Sequence, residues 1–354
     1  MSLTPPSEPP TLGLVEERVH QLDVEGATPY ALGALDDTRL WWCVSRPDGR
    51  FDTWIVGPGD ALRLVWEGAR SPTEDAARLS SGVFVLAIHP ELHVVDGAPL
   101  TPPLTPPLTV GLDGDWPVRR LVALPNDRLV AHGSQESVPV WDMMRRTVVA
   151  TVDARAMGLM SFGAPHGDPE GVLVAAVEPG LVWRGALWDV VRGAARLRVS
   201  VPTPHGAALE HSAVAVRPGA EELVAILTHR HGEERVTTLH RWAAGQHTIL
   251  DERRGPTPAF TELLFVSPDW LMVMGHRTDA LWGMRTLTVR LGLRVEQVTP
   301  SGRARLHPRA VLDLHTGERA LVPGARGDPW CLHPQGERVT VASGPSLTTW
   351  RLYR

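Results

Sequence analysis

The densest group of chemically capable side chains is THRHGEER, residues 228–235. His229 and His231 alternate, so on a strand they face the same way, as a pair of imidazole metal ligands would, and Glu233 or Glu234 could add an oxygen. No third histidine follows at a ligand spacing. The segment is therefore read as an exposed polar turn that includes Arg230, and no metal is expected. PHGDPEG, residues 165–171, offers His166, Asp168 and Glu170, but the calcium-loop pattern of EF-hands is missing and Gly, Asp and Pro suffice for a turn. Cys43 in LWWCVS and Cys331 beside Trp330 sit in apolar runs and are expected in the core rather than as nucleophiles. Two cysteines are too few for a disulfide framework or a cysteine zinc site, which points to a reducing, cytoplasmic setting. Neither G-x-S-x-G, H-E-x-x-H nor G-x-x-x-x-G-K occurs. All 35 basic residues are arginine, so Schiff-base chemistry and a P-loop lysine are excluded. No catalytic residue and no cofactor is expected.

Binding residues are easier to nominate. The 13 tryptophans far outnumber the two tyrosines and five phenylalanines. Most recur at regular intervals, but Trp183 sits beside Arg184 in EPGLVWR, near an expected loop; it is read either as structural or, since exposed Trp and Arg are favoured interface anchors, as a contact residue. Arginines cluster at 119–120, 145–146, 253–254 and 285–309. The net charge of −5 argues against a chain built to hold nucleic-acid backbones, and aromatic interleaving is missing from the basic runs. PLTPPLTPPLT, residues 99–109, is expected as a polyproline II insertion. No apolar run approaches the roughly 18 residues of a membrane span. MSLTPPSEPP reads as the start of a disordered tail over 1–12 rather than a secretory leader.

These residues need a scaffold, and the scaffold is written as a repeat. The 33 glycines and 32 prolines are spread along the chain, which signals many short elements separated by turns. TEDAARL (73–79) and DARAMGLM (153–160) are the best helical candidates, and both are short. Aligned on Trp54, Leu92, Trp141, Trp188, His240, Leu312 and Trp350, the sequence repeats one pattern. A strand ends near the anchor, glycine follows five positions later (Gly59, Gly97, Gly193, Gly245, Gly317), and a β-branched or alternating strand returns. Upstream, Pro125, Pro218, Pro268 and Pro334 mark a second turn between strands. Two hairpins in series make a four-stranded unit. The anchors are on average about 49 residues apart, within the roughly 40–50 of a propeller blade.

Trp141-Asp142 and Trp188-Asp189, with Leu312-Asp313 as a degraded copy, resemble the signature dipeptide of WD-repeat propellers. The resemblance covers about residues 13–354 and implies an all-β propeller over that span as one domain. We expect seven four-stranded blades, with eight as the alternative. The 72-residue interval before Leu312 then holds an extended hairpin at 280–305. The last unit lacks a fourth strand, which residues 14–24 are expected to supply, as WD-repeat chains do when they close their ring. Trp54, Trp141, Trp188, Leu312 and Trp350 would wedge between blades.

The expected function is a noncatalytic platform for protein partners, part of a larger assembly. Its contact surface would come from the second-to-third-strand turns: Arg46, Asp48 and Arg50; Gln135 and Glu136; Trp183 and Arg184; and His229, Arg230, His231 and Glu233. The alternatives are a propeller hydrolase or lyase acting on a sugar or lactone at a central channel, or a small-ligand sensor.

Overall fold

A computed structural model describes residues 12–22, 26–57, 62–89, 91–95, 118–133, 137–145, 147–153, 161–163, 171–178, 182–217, 219–255, 262–267, 269–274, 279–283, 289–293, 295–299, 301–307, 309–325 and 327–353. The expected polyproline stretch, the His166 loop, Gln135, Glu136, and residues 1–11 of the expected tail lie outside them. Leu12, placed at the end of that tail, is instead buried beside Leu332 and Leu352.

Among the described residues every element is a strand, and the strands pair antiparallel. β1 (Gly13–Gln21) precedes a sheet of β2 (Thr28–Ala34), β3 (Leu40–Ser45), β4 (Phe51–Val56) and β5 (Leu62–Ala69). β6 (Thr73–Arg78), β7 (Phe84–Ile88) and β8 (Glu91–Val95) form a three-stranded sheet. Four-stranded sheets follow: β9 (Val118–Leu124), β10 (Arg128–Gly133), β11 (Ser137–Asp142) and β12 (Thr147–Asp153); then β13 (Ser161–Gly163), β14 (Leu173–Glu178), β15 (Trp183–Asp189) and β16 (Ala194–Val201). The next pair is β17 (Ala208–Val216), β18 (Glu222–His231), β19 (Glu234–Ala243) and β20 (Gln246–Gly255); then β21 (Glu262–Ser267), β22 (Trp270–Met274), β23 (Asp279–Gly283) and β24 (Val289–Leu293). β25 (Val295–Val298), β26 (Arg303–Leu306), β27 (Ala310–Asp313) and β28 (Arg319–Leu321) form another. In the last sheet β29 (Trp330–Leu332), β30 (Arg338–Ser343) and β31 (Ser346–Tyr353) are joined by β1, in the order β1-β31-β30-β29. The described residues thus hold seven four-stranded sheets and one of three.

The repeat pattern has a single structural meaning. Trp54, Leu92, Trp141, Trp188, His240, Leu312 and Trp350 all lie on the third strand of their sheets. Gly193, Gly245 and Gly317 turn the chain into the fourth strand or toward it at φ of 65°, 75° and 81°, where a β-carbon is disfavoured. The aspartates behind the anchors explain the Trp-Asp pairing: Asp142 accepts the Arg145 amide at 2.9 Å, and Asp313 accepts those of His315 and Thr316 at 3.0 and 3.2 Å. A short carboxylate at this point ties down the turn.

Two expectations change and one holds. TEDAAR forms β6 rather than a helix, because pairing with β7 overrides local propensity. The segment 280–305 is no extended hairpin: β23 and β24 close one sheet, and β25 and β26 open the next, with single-residue separation between them. Trp282 is the anchor of the first of these, on its third strand. The expected pairing of the N-terminal strand with the last sheet is present, running from Gly13↔Tyr353 to Gln21↔Ser346.

The chain divides into two compact units, residues 1–73 with 295–354, and residues 74–294. In the first, Leu32, Trp42, Val44, Cys331 and Leu347 pack between sheets, as do Val311, Trp330, Val339 and Leu352. In the second, Ala215, Ile226, Leu239, Phe265 and Val273 form one such layer and Leu173, Leu187, Leu223 and Trp242 another. Strands such as β7, β3 and most of β18 are buried on both faces, as strands stacked between neighbouring sheets must be. Both thiols are buried, and burial pushes Cys43 up to about 11 and Cys331 up to about 12, so neither is a thiolate at neutral pH.

Candidate interaction surface

The sheet β17–β20 is built from strands of 9 or 10 residues, where most other strands have 3 to 8. β18 is buried for its first eight residues, ELVAILTH, and then exposed at Arg230 and His231. β17 begins with three exposed residues, Ala208, Leu209 and Glu210, on the strand alongside. The end of this sheet therefore emerges from its packing as a ribbon. Its tip is a two-residue turn, Gly232-Glu233, between the paired His231 and Glu234. Gly232 adopts φ of 65°, the left-handed geometry that such turns require.

Polar contacts stiffen the ribbon. Arg235 donates to Glu210 at 2.6 Å, and Arg230 donates to the same carboxylate at 3.4 Å and to the Gly232 carbonyl at 2.8 Å. The Arg235 hydrogen bond holds the Glu210 carboxyl below its ordinary range. His231 Nδ1 donates to the Gly206 carbonyl at 3.2 Å. These side chains are exposed yet held in place.

The expected contact residues separate accordingly. Arg230, His231 and Glu233 are exposed at the tip. His229 is not: it is buried, and burial lowers its pKa. Trp183 is a larger correction. It is buried on β15, stacked on Trp242 with ring centroids 5.6 Å apart, while only its neighbour Arg184 is exposed. Gly185, two positions on, makes room for the indole; a β-carbon there would lie 2.6 Å from the Trp183 ring. In the other unit, Arg46 is tied back to Asp52 at 2.6 Å and to Glu67 at 2.8 Å, so it braces its own sheet. Asp48 and Arg50 stay exposed on that turn, where the Asp48 carboxylate accepts the Arg50 amide at 3.0 Å. Among the described residues no group of three His, Cys, Asp or Glu side chains could hold a metal ion.

Sequence reasoning missed two imidazole networks, each built on a buried histidine. On the β17–β20 sheet, Thr238 donates to the Leu227 carbonyl, so its oxygen accepts from His240 Nε2 at 2.7 Å. His240 Nδ1 is then an acceptor, 3.0 Å from His247 Nε2. Both rings lie nearly parallel to Trp242. Burial, with the nearby His247 and His229, lowers the His240 pKa to about 4.

The second network floors a cleft of about 150 Å³ in the other unit. His333 Nδ1 donates to the Asp37 carbonyl at 3.2 Å, and its Nε2 lies 2.9 Å from Thr340 Oγ1. Thr340 is 2.8 Å from Thr349 Oγ1. Burial lowers the His333 pKa, so the ring is neutral. Glu17 and Arg338 pair over the cleft at 2.6 and 3.1 Å. His20 from β1 lines it, along with Arg18, Thr38, Leu40 and Val56.

No protein-family model matches the sequence, and no curated protein matches it. Solved structures match in fold. The C-terminal WD40 domain of Sif2 aligns with 96% of this chain and 99% of its own, at 12% identity and a TM-score of 0.57. A mitotic checkpoint complex structure aligns with 100% of this chain and 99% of its own, at 14% identity and a TM-score of 0.48. With the sheet order and the third-strand Trp-Asp turns, the fold is that of a WD-repeat-like β-propeller.

Proposed function

We propose that this protein is a noncatalytic interaction platform that docks a protein partner through the end of the β17–β20 sheet. One observation carries the reading: β18 passes from eight buried residues to an exposed, arginine-bearing tip closed by a two-residue turn. A rigid, pre-organised projection lowers the entropy lost on docking. The fold suits the role, since stacked sheets hold loops at fixed positions. Two buried, unbridged cysteines suit the reducing cytoplasm as its setting.

The test is affinity capture from native lysate with the full chain and with Arg230→Ala/His231→Ala/Glu233→Ala. The three side chains are exposed, so the variant keeps its thermal midpoint. A stoichiometric partner held by the parent and lost from the variant is the expected result. Undiminished capture by the variant would move the docking surface elsewhere.

A further inference from the structure

The cleft beside β1 is a built pocket, and its hydrogen-bonding polarity can be deduced. The Asp37 carbonyl can only accept, so His333 carries its proton on Nδ1. The neutral ring then leaves Nε2 as an acceptor, which takes the Thr340 hydroxyl proton. Thr340, with its proton committed, must accept from Thr349. Thr349 lines the cleft and is buried, and toward the cavity it presents only lone pairs. At Thr349 the floor therefore accepts hydrogen bonds and donates none.

The rim is mixed and charge-balanced. Glu17 and Asp37 face Arg18 and Arg338, and Arg338 is gripped by Glu17 through two of its nitrogens. Asp37 lines the cleft, and its Oδ1 accepts the Gln335 amide at 2.7 Å. Thr38 adds a hydroxyl, and Leu40 and Val56 supply an apolar wall. A rim of two carboxylates and two guanidinium groups carries no net charge, so an anion or a cation gives up its hydration for no net attraction, and an anion also meets the lone pairs of Thr349. A ligand that both donates and accepts while staying neutral meets neither penalty.

We propose that this cleft binds a neutral polyhydroxylated ligand, whose hydroxyl donates to Thr349 while its carbon face lies against Leu40 and Val56. The volume of about 150 Å³ holds about five water-sized groups, the size of a three- or four-carbon polyol or the edge of a sugar ring. This goes beyond the docking role of the ribbon and does not depend on it, because the two sites belong to different units.

The experiment is a methyl NMR titration of the full chain, observing Leu40 and Val56, with erythritol, n-butanol, butyrate and n-butylammonium as probes. Erythritol should give saturable shifts. n-Butanol should bind about tenfold more weakly, having lost two or more hydrogen bonds. Thr349→Val should weaken erythritol about fivefold, and Thr349→Ser should restore it. Should the valine variant unfold, Asp37→Asn tests the same site from the rim and should weaken erythritol several-fold. A methyl glycoside with tighter binding than erythritol would assign the source to a sugar, and the reverse order to a free polyol. Non-saturable shifts with erythritol, or tighter binding of either charged probe, would overturn the proposal.

Discussion

The β17–β20 sheet and the last sheet solve one problem in opposite ways. In the first, four consecutive strands are joined by tight turns, so every pairing is local in sequence. In the second, β1 must travel from one end of the chain to the other, where Gly13 meets Tyr353. Local hairpins can extend freely, and this sheet has grown a projecting tip. The end-to-end sheet instead gains a cleft, because His20 and Glu17 on β1 approach His333 and Arg338 only after the ends meet. Elaboration occurs where contacts are local, and a pocket occurs where they are not.

The comparison is broken most severely by cutting each region. Deleting residues 12–21 removes β1, exposes the edge of β31 and uncovers Leu352 and Trp330. The loss should be about 5 kcal/mol or more, read as a collapse of the urea midpoint. Replacing residues 230–235 by a two-residue turn removes only exposed or half-exposed side chains and should cost about 1 kcal/mol or less. Equal losses would mean the ribbon is part of the core rather than an outgrowth.

Charge sharpens the same contrast. Glu222 is buried at the base of the ribbon sheet, held by Arg241 at 2.7 and 2.9 Å and by Arg217 at 3.2 Å. Arg217 continues to Asp269 beyond β21 at 3.3 Å. Glu222→Gln takes the carboxylate from Arg241 and leaves Arg217 to Asp269, and should cost about 3 kcal/mol in denaturant titration. Glu17→Gln, at the half-exposed pair with Arg338, should cost under about 1 kcal/mol and shrink further in salt.

How much of this was legible follows from which signals are local. The third-strand anchors and the turns at Gly193, Gly245 and Gly317 were, because tryptophan, aspartate and glycine sit within one hairpin, while Gly59 and Gly97 lie outside the described residues. The 228–235 turn was legible too, although no residue type marks the unusual length of its sheet. Trp183 was misplaced by its closeness to a loop. The better signal was parity: Trp183, Gly185 and Leu187 alternate on the inward face of β15, and the glycine is the space the indole fills. The segment 280–305 was misread because β24, β25 and β26 are only four or five residues long, too short for alternation to register. The two imidazole networks could not be read at all. The His333 chain joins the turn after β29 to β30, β31 and a distant turn at Asp37, and His240 meets His247 only through the irregular register at Leu239/His240.

Those networks respond to pH with the same sign in both regions. His240 is neutral in the fold, with its pKa lowered to about 4 from an ordinary 6.5, so between those values the unfolded chain binds the extra proton. Stability is therefore complete above about pH 6.5 and is lost as pH falls toward 4, by about 3 kcal/mol at most from this ring. His333 moves in the same direction. His240→Asn should flatten the acid side of a stability-versus-pH curve measured by urea titration. An unchanged slope would show that His333 or the carboxylates dominate.

Two glycines, one in each region, carry the same contrast down to a single methyl group. Gly232 at the ribbon tip has φ of 65° and nothing within 4 Å of a β-carbon, so Gly232→Ala meets only backbone strain, about 1 kcal/mol. Gly336, in the turn between β29 and β30, has φ of 74°, but a β-carbon there would lie 2.5 Å from Ser301 Oγ and 2.8 Å from Thr299 Oγ1. Those oxygens are hydrogen-bonded to each other at 2.8 Å, and Thr299 also holds the Arg303 amide at 3.1 Å, so they cannot simply retreat. Gly336→Ala should therefore cost about 1–3 kcal/mol more than Gly232→Ala in paired denaturant titrations. The difference measures how tightly each turn is enclosed: the tip stands in solvent, whereas the other turn is part of the packing that frames the cleft. Equal costs would mean that the tip, too, is packed against something, and the ribbon would lose its claim to be a free projection.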